Sequence, residues 1–452
     1  MTAAKQWASL LVALALSYLP LVPALQNGII LGTPTVLHYN GQQCKQWVKG
    51  VTSVTRSQRS RVVSRNIAVT NGCQASMSLL RTFQPKELLL QRFIGELGFM
   101  EITDWEYYGR ETTPLDPSTP SRTINNSGTT VRLFEARTPS DERVVLKEFF
   151  PDATSLAQNE MEIFEFLLEA WEVSIGTARE LPIMTLMGSL VTDETFKTKS
   201  FVERWVSKFP TLPLPGVGNT WLVYRWEGQF TFASYPFAKQ EAEFLDGWRP
   251  DAKENRRAEF VREMMRQAVV AVLFIHEAGV AHRSLGAPSF RMNTMDERNP
   301  GQLEVFLSDF GFACPVAEID DETFRRAEKF GCTKAEEVSD FLLREDLYSL
   351  GYVFLELVFK SFCAIRSRAP DQSVLKRNIE DISKGDFKDF KDYCLGEDSW
   401  VPAVNILDRN RNAGWELAAA LLNARGGKKS GRMGIVASTS AILSFPYFNT
   451  ED

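Results

Sequence analysis

The stretch LSDFGFA, Leu307 to Ala313, decides how this chain is read. It continues the apolar run Val305-Phe306-Leu307, which has the character of a short strand. It then sets a carboxylate, Asp309, two residues before Gly311, where the backbone can turn freely. Asp-Phe-Gly alone occurs by chance in many proteins. Its neighbours give it weight: VAHRSLGAPSF (Val280 to Phe290) and VVLK (Val144 to Lys147) stand upstream, and EDLYSLG (Glu345 to Gly351) follows.

Outward from this stretch the pattern changes along the chain. Thr130 to Phe150, TVRLFEARTPSDERVVLKEFF, alternates apolar and polar residues around a Pro-Ser-Asp turn and predicts a β-hairpin. Met161, Phe164 and Leu168 recur at helical spacing and predict a helix over 158–169. From Leu181 to Gly228 short apolar runs are broken by the loop PTLPLPGVGNT before the strand TWLVYRW. The segments Arg256 to Ala278 and Asp346 to Phe359 are apolar on most sides, as buried helices are. Strands first and buried helices afterwards imply an α+β molecule, a small β-rich lobe followed by a mainly helical one.

In this order the segments resemble the protein-kinase fold over roughly residues 98–448, with an N-lobe at about 98–223 and a C-lobe at about 228–448. The resemblance implies ATP and Mg2+ as cofactors. Lys147 would hold the nucleotide phosphates and Glu160 would pair with it, though Glu162 and Glu165 compete for that place. Tyr224 would be the gatekeeper, and Arg225, Trp226 and Glu227 would form the hinge that offers backbone to adenine. Asp309 would bind the metal that bridges the phosphates. Asp346 would brace the catalytic loop, and Ala335-Glu336-Glu337 would close the activation segment. The long MMRQAVVAVLFIHEAGVAHRS helix, the hinge and the ending GWELAAALL with SFPYF are similar to chloroplast thylakoid kinases of the state-transition type.

The resemblance also exposes departures. In VAHRSLGAPSF, His282 and Arg283 stand as in the family's catalytic loop, but Ser284 replaces the base Asp and Ser289 replaces the Asn that holds a second metal ion. Gly286 stands where a phosphate-contacting Lys is usual. Before the second strand, Asn125 to Thr130 carries only Gly128 where a glycine-rich loop is expected. Loss of a positioned base removes roughly 10² to 10⁴ in rate. The missing lysine and metal ligand weaken the electrostatic stabilisation on which phosphoryl transfer mostly depends. Serine is a poor base and a weak metal ligand. The expectation is therefore a pseudokinase that scaffolds or regulates a protein partner. The alternative is a slow or atypical serine/threonine kinase acting on a protein substrate.

Arg283, which in the family grips an activation-segment phosphate, is expected to pair instead with the acidic run Glu318 to Glu322. Thr323 and Thr333 are the few phosphorylatable residues nearby.

Charge is divided unevenly. The chain has no Asp or Glu before Glu87 but nine Lys and Arg there, leaving 42 basic against 57 acidic residues in the remainder. An acidic body excludes nucleic acid as an expected partner. Residues 1–24 pair Lys5 with an apolar run ending at Val22-Pro23-Ala24, which reads as a cleaved signal peptide or a retained anchor. Residues 25–86, rich in Ser, Thr and Arg, have the composition of a transit segment. Together they read as a plastid address with membrane association open through the N terminus; the alternative is the secretory pathway. The six cysteines show no CxxC pair and predict no metal cluster.

Overall fold

Alternation along the strands gives this chain a sheet that is covered on both faces. The computed structural model describes residues 80–98, 130–174, 181–194, 198–237, 250–426 and 439–449. The expected leader (1–24), most of the transit-like segment (25–86) and Asn125 to Thr129, where the glycine loop was sought, lie outside the described residues. Six strands are joined: β1 (Arg81–Thr82), β2 (Leu89–Gly98), β3 (Thr130–Arg137), β4 (Arg143–Phe149), β5 (Leu186–Val191) and β6 (Thr220–Arg225). Their spatial order is β1-β5-β6-β4-β3-β2. Only β1 and β5 run parallel.

Side chains leave a strand alternately to its two sides. Val131, Leu133, Val145, Leu222 and Tyr224 enter the main core with helix α1 (Thr154–Ser174). Phe134, Ala136, Val144, Leu146, Trp221 and Val223 face the other way. There α2 (Lys199–Lys208) covers them, with Trp205 and the following Phe209 each 5.6 Å from the ring of Phe134. A helix at this place was not expected from the broken apolar runs of 181–228. Beneath it, Arg132 reaches Glu148 through two hydrogen bonds of 2.6 and 2.8 Å, and Asn219 donates to the same carboxylate at 2.7 Å.

The sheet starts nearer the N terminus than the expected boundary at 98. β1 and β2 both precede it, so Arg81 to Lys86, read as the end of the transit-like segment, belong to the folded part. Lack of acidic residues is a property of composition, and an edge strand tolerates Arg81 as readily as a leader does.

A short connection from Trp226 leads into β7 (Phe230–Thr231) and the helical lobe. Helix α3 (Pro250–Glu277) is followed by β8 (Val280–Ala281), β9 (Phe290–Met292), β10 (Val305–Leu307) and β11 (Cys314–Pro315). These strands form a β10-β9-β7 sheet and a β11-β8 pair. Then come α4 (Asp321–Glu328), α5 (Ala335–Phe362), α6 (Gln372–Lys376), α7 (Phe387–Leu395), α8 (Val401–Leu422) and α9 (Thr439–Ile442). α5 is buried nearly all round, and Gly351 lets α8 approach it: a Cβ there would lie 2.8 Å from Leu422 Cγ.

Ala335-Glu336-Glu337, expected to close the activation segment, instead forms the first turn of α5, which runs unbroken past Asp346. The Glu337 carboxylate accepts from the Thr333 and Lys334 backbone N–H groups and so starts the helix there. A β-rich lobe joined by one hinge to a helix-dominated lobe makes this a bilobal protein-kinase-like fold. Among the described residues no helix is long and apolar enough to cross a membrane.

Candidate functional site

Lys147 sits on the same side of β4 as Val145 and Phe149, so alternation turns it toward α1 and the space between the lobes. Its Nζ donates to both oxygens of Glu160 at 2.7 and 2.9 Å and to Asp309 Oδ1 at 2.8 Å. Glu160 also accepts from the Tyr224 hydroxyl at 2.6 Å. All four side chains are buried. Burial works against the charged ammonium, but Asp309 and Glu160 together raise the Lys147 pKa above its ordinary value. Burial likewise works against the Asp309 carboxylate, and here Lys147 and then Arg291 prevail and hold its pKa down. Lys147 and Asp309 are therefore ionised at neutral pH.

Asp309 is held in an unusual backbone state, with φ 70° and ψ 56°. Non-glycine residues rarely adopt this left-handed region. It aims the carboxylate at Lys147, and the turn Phe310–Phe312 follows. Asn159, beside Glu160 on α1, donates its side-chain amide to the carbonyls of Phe310, Gly311 and Ala313 at 3.2, 3.0 and 2.9 Å. Gly311 permits the approach, since a Cβ there would meet Leu156 at 3.3 Å. One helix thus carries both the partner of Lys147 and the clamp on the segment that presents Asp309. Sequence reasoning missed Asn159; a polar residue next to Glu160 looked like a solvated helix face.

The expected catalytic loop is held from below by Asp346. Its carboxylate accepts from the backbone N–H of His282 at 2.7 Å and of Arg283 at 2.8 Å, and lies 3.0 Å from His276 Nε2. Burial lowers the His282 pKa, so the ring is neutral. Its Nε2 donates to the Ser308 carbonyl at 2.9 Å, and its ring lies 5.2 Å from that of Phe310. Arg283 takes a left-handed φ of 65°, and its Nη1 comes only to 4.0 Å from Asp320 Oδ2, within the acidic run expected to receive it. Asp320 makes a closer contact with the Thr323 N–H at 2.6 Å, capping α4. Thr323 is buried and Thr333 exposed.

Ser284 is half-buried, and its backbone N–H reaches His282 Nδ1 at 3.4 Å. Ser289 is buried, and its hydroxyl closes the loop: it donates to the Ser284 carbonyl and accepts from the Gly286 N–H, both at 3.2 Å. A magnesium ion needs oxygen ligands in near-octahedral array. Here Asp309 already accepts from Lys147 through Oδ1 and from Ser308 through Oδ2 at 3.1 Å, and the Ser289 hydroxyl is spent within the loop. No group of three metal-ligating side chains occurs among the described residues. Of the two residues expected to hold a metal, Asp309 offers a carboxylate already paired with Lys147, and the Ser289 hydroxyl is engaged within its own loop.

At the hinge, the Glu227 N–H donates to the Arg225 carbonyl at 3.0 Å, so two backbone groups expected to face adenine are turned on each other. The Glu227 side chain is tied back to Thr185, accepting from its N–H and its hydroxyl at 2.9 Å each, and burial raises its pKa. Trp226 lies under the Arg143 guanidinium, 4.1 Å from the ring centre. The glycine-rich loop was expected around Gly128, whereas β2 ends in Gly95-Glu96-Leu97-Gly98, opposite the start of β3. Two glycines three apart at a strand end were the signal available in the sequence.

No family model matches the chain. The serine/threonine-protein kinase STN8, chloroplastic, of Arabidopsis thaliana is 26% identical to it over 263 residues, which is 51% of this chain and 49% of that protein. The chain thus spans about half the length of this relative. Among solved structures, the crystal structure of a Stt7 homolog from Micromonas algae soaked with ATP aligns at 18% identity with a TM-score of 0.48, covering 84% of this chain and 98% of that one. The chain bears a remote resemblance to a chloroplast serine/threonine kinase.

Proposed function

We propose that this protein is a pseudokinase: a kinase-fold module that binds ATP between its lobes and regulates or scaffolds a protein partner in a plastid. One observation carries the reading. The groups that would grasp a nucleotide, Lys147, Glu160 and Asp309, form one buried network, while Ser284 and Ser289 stand where base and metal ligand are required. Lys147 would turn from Asp309 toward a phosphate, and Glu160 and Tyr224 would keep its amine in place. Ser284 presents a hydroxyl, which does not take a proton from an acceptor at neutral pH. The plastid setting rests on the leader-like composition of residues 1–86 and on the chloroplastic relative. The acidic body favours protein over nucleic acid as the partner.

Two measurements test this reading. Thermal-shift titration of the full chain with ATP should raise the melting temperature, and radiolabelled ATP should leave no label on protein substrates. Asp309-dependent transfer, present in wild type and absent in Asp309→Ala, would establish the slow serine/threonine kinase instead. A fusion of residues 1–86 to a fluorescent protein should enter plastids; a diffuse cytosolic signal would remove the plastid from the proposal.

A further inference from the structure

β9 places a cation where the cleft has no evident need of one. Phe290 and Met292 enter the main core, so Arg291 between them leaves the strand on the opposite side. It lies directly beneath the hinge: a Cβ added to Gly228 would come within 2.6 Å of Arg291 Cβ. In register it pairs with Phe306 on one side and Thr231 on the other. Arg291 is only 8% exposed, yet among the described residues no hydrogen bond or ion pair closes on its side chain. Its charge nevertheless reaches Asp309 and Tyr224.

A guanidinium stays ionised in proteins and carries five donors. Its nitrogens are not among the described buried polar atoms that lack a partner, so they are reached from the cleft and not sealed in the core. A ligand can supply the missing anion. With Arg291 counted, Lys147 and Arg291 balance Glu160 and Asp309. At Asp309, Lys147 already contacts one carboxylate oxygen, and the Arg291 charge acts on the same group.

We propose that Arg291 is a second phosphate-binding cation of this cleft, and that the cleft takes a nucleoside polyphosphate without a divalent metal. The inference rests on the nucleotide-binding reading above and adds to it both a residue and a metal requirement. It places recognition in the phosphate chain more than in the base, because the Glu227 N–H is already paired with the Arg225 carbonyl.

The test is calorimetric titration of the full chain with ATP, inorganic tripolyphosphate and adenosine, each in EDTA and in magnesium. ATP should bind in EDTA at least as tightly as in magnesium. Tripolyphosphate should bind, and adenosine should bind at least about tenfold more weakly than ATP. Arg291→Gln should weaken ATP and tripolyphosphate by about tenfold or more, with Arg291→Lys recovering part of the loss. The wild-type comparison of the two buffers stands even where a variant fails to fold. ATP binding that requires magnesium, or that Arg291→Gln leaves unchanged in a folded variant, overturns this inference while leaving nucleotide binding intact. Adenosine binding as tightly as ATP does the same. No binding of ATP in either buffer overturns both.

Discussion

Replacing Lys147 with methionine removes the cation from between two buried carboxylates. In the wild type its Nζ lies 2.7 Å from Glu160 and 2.8 Å from Asp309, and all three side chains are buried. The variant leaves Glu160 with the Tyr224 hydroxyl and Asp309 with the Ser308 hydroxyl, neither of them charged. Removing one partner of a buried ion pair costs about 3–5 kcal/mol. At about 2 °C per kcal/mol for a large domain, the variant should melt roughly 6–10 °C below wild type at neutral pH. The deficit should also depend on pH. In the wild type the Asp309 pKa is depressed, so its contribution is complete above the ordinary carboxylate value and is lost as pH falls through the folded value. Without Lys147, burial is opposed only by weaker influences and the carboxyl pKa should rise. The folded variant then takes up a proton more readily than the unfolded chain, and its deficit should shrink as pH is lowered from about 8 to about 5. Thermal melts of both proteins across that range, followed by circular dichroism, measure this. A variant melting within about 1 °C of wild type at neutral pH, or a deficit that ignores pH, would refute the claim that Lys147 and Asp309 form a buried, ionised pair.

Four further outcomes follow from other contacts. Asp346→Asn turns an amide toward two backbone N–H groups that now donate to a carboxylate, and should lower stability by about 2–3 kcal/mol in chemical denaturation. Asn159→Ala frees the segment after Asp309 and should raise amide hydrogen exchange at Phe310–Ala313 while leaving the β3–β4 hairpin protected; equal exchange in both proteins would count against the clamp. Arg132→Met leaves Glu148 buried with Asn219 alone and should cost about 3–5 kcal/mol, of which the double variant with Glu148→Leu should regain at least half. Burial lowers the His282 pKa, so wild type should keep its full stability above the ordinary value of 6.5 and lose it as pH falls below, by at most about 1.4 kcal/mol per pH unit; His282→Gln should flatten that limb of the melting curve.

What could be read in advance follows the range over which each signal acts. The β3–β4 hairpin and helices α1, α3 and α5 were legible because their apolar periodicity is local. Lys147 and Glu160 were legible as a pair through their order in the chain. The choice among Glu160, Glu162 and Glu165 was not, since all three lie on one helix; packing decides it, burying Glu160 while Glu162 accepts from Gln158 at the surface. Helix α2 was hidden because it is short, its stability coming from Trp205 against the outer face of the sheet. Asn159 and Arg291 were invisible for a common reason. A lone polar residue, Asn159 among the polar Gln158 and Glu160 or Arg291 between Phe290 and Met292, carries no local sign of a long-range contact, and only the assembled lobes show what each one faces.

The same distinction bears on what the cleft is for. A buried ion triad is a weak source of stability, because the desolvation of its members offsets most of their attraction. Packed apolar residues at Lys147, Glu160 and Asp309 would hold the lobes together at least as well. Asn159 already clamps the turn after Asp309 with uncharged contacts, and Asp346 already fixes the loop. Apolar side chains replacing the whole triad would serve the scaffold as well as Lys147 does, and Arg291, with no hydrogen bond or ion pair among the described residues, adds less. Both become useful when a polyphosphate enters: Lys147 can exchange Asp309 for a phosphate oxygen, and Arg291 gains the anion it lacks. On the proposed nucleotide-binding reading, occupancy would weaken the Lys147–Asp309 contact while leaving Lys147–Glu160 intact.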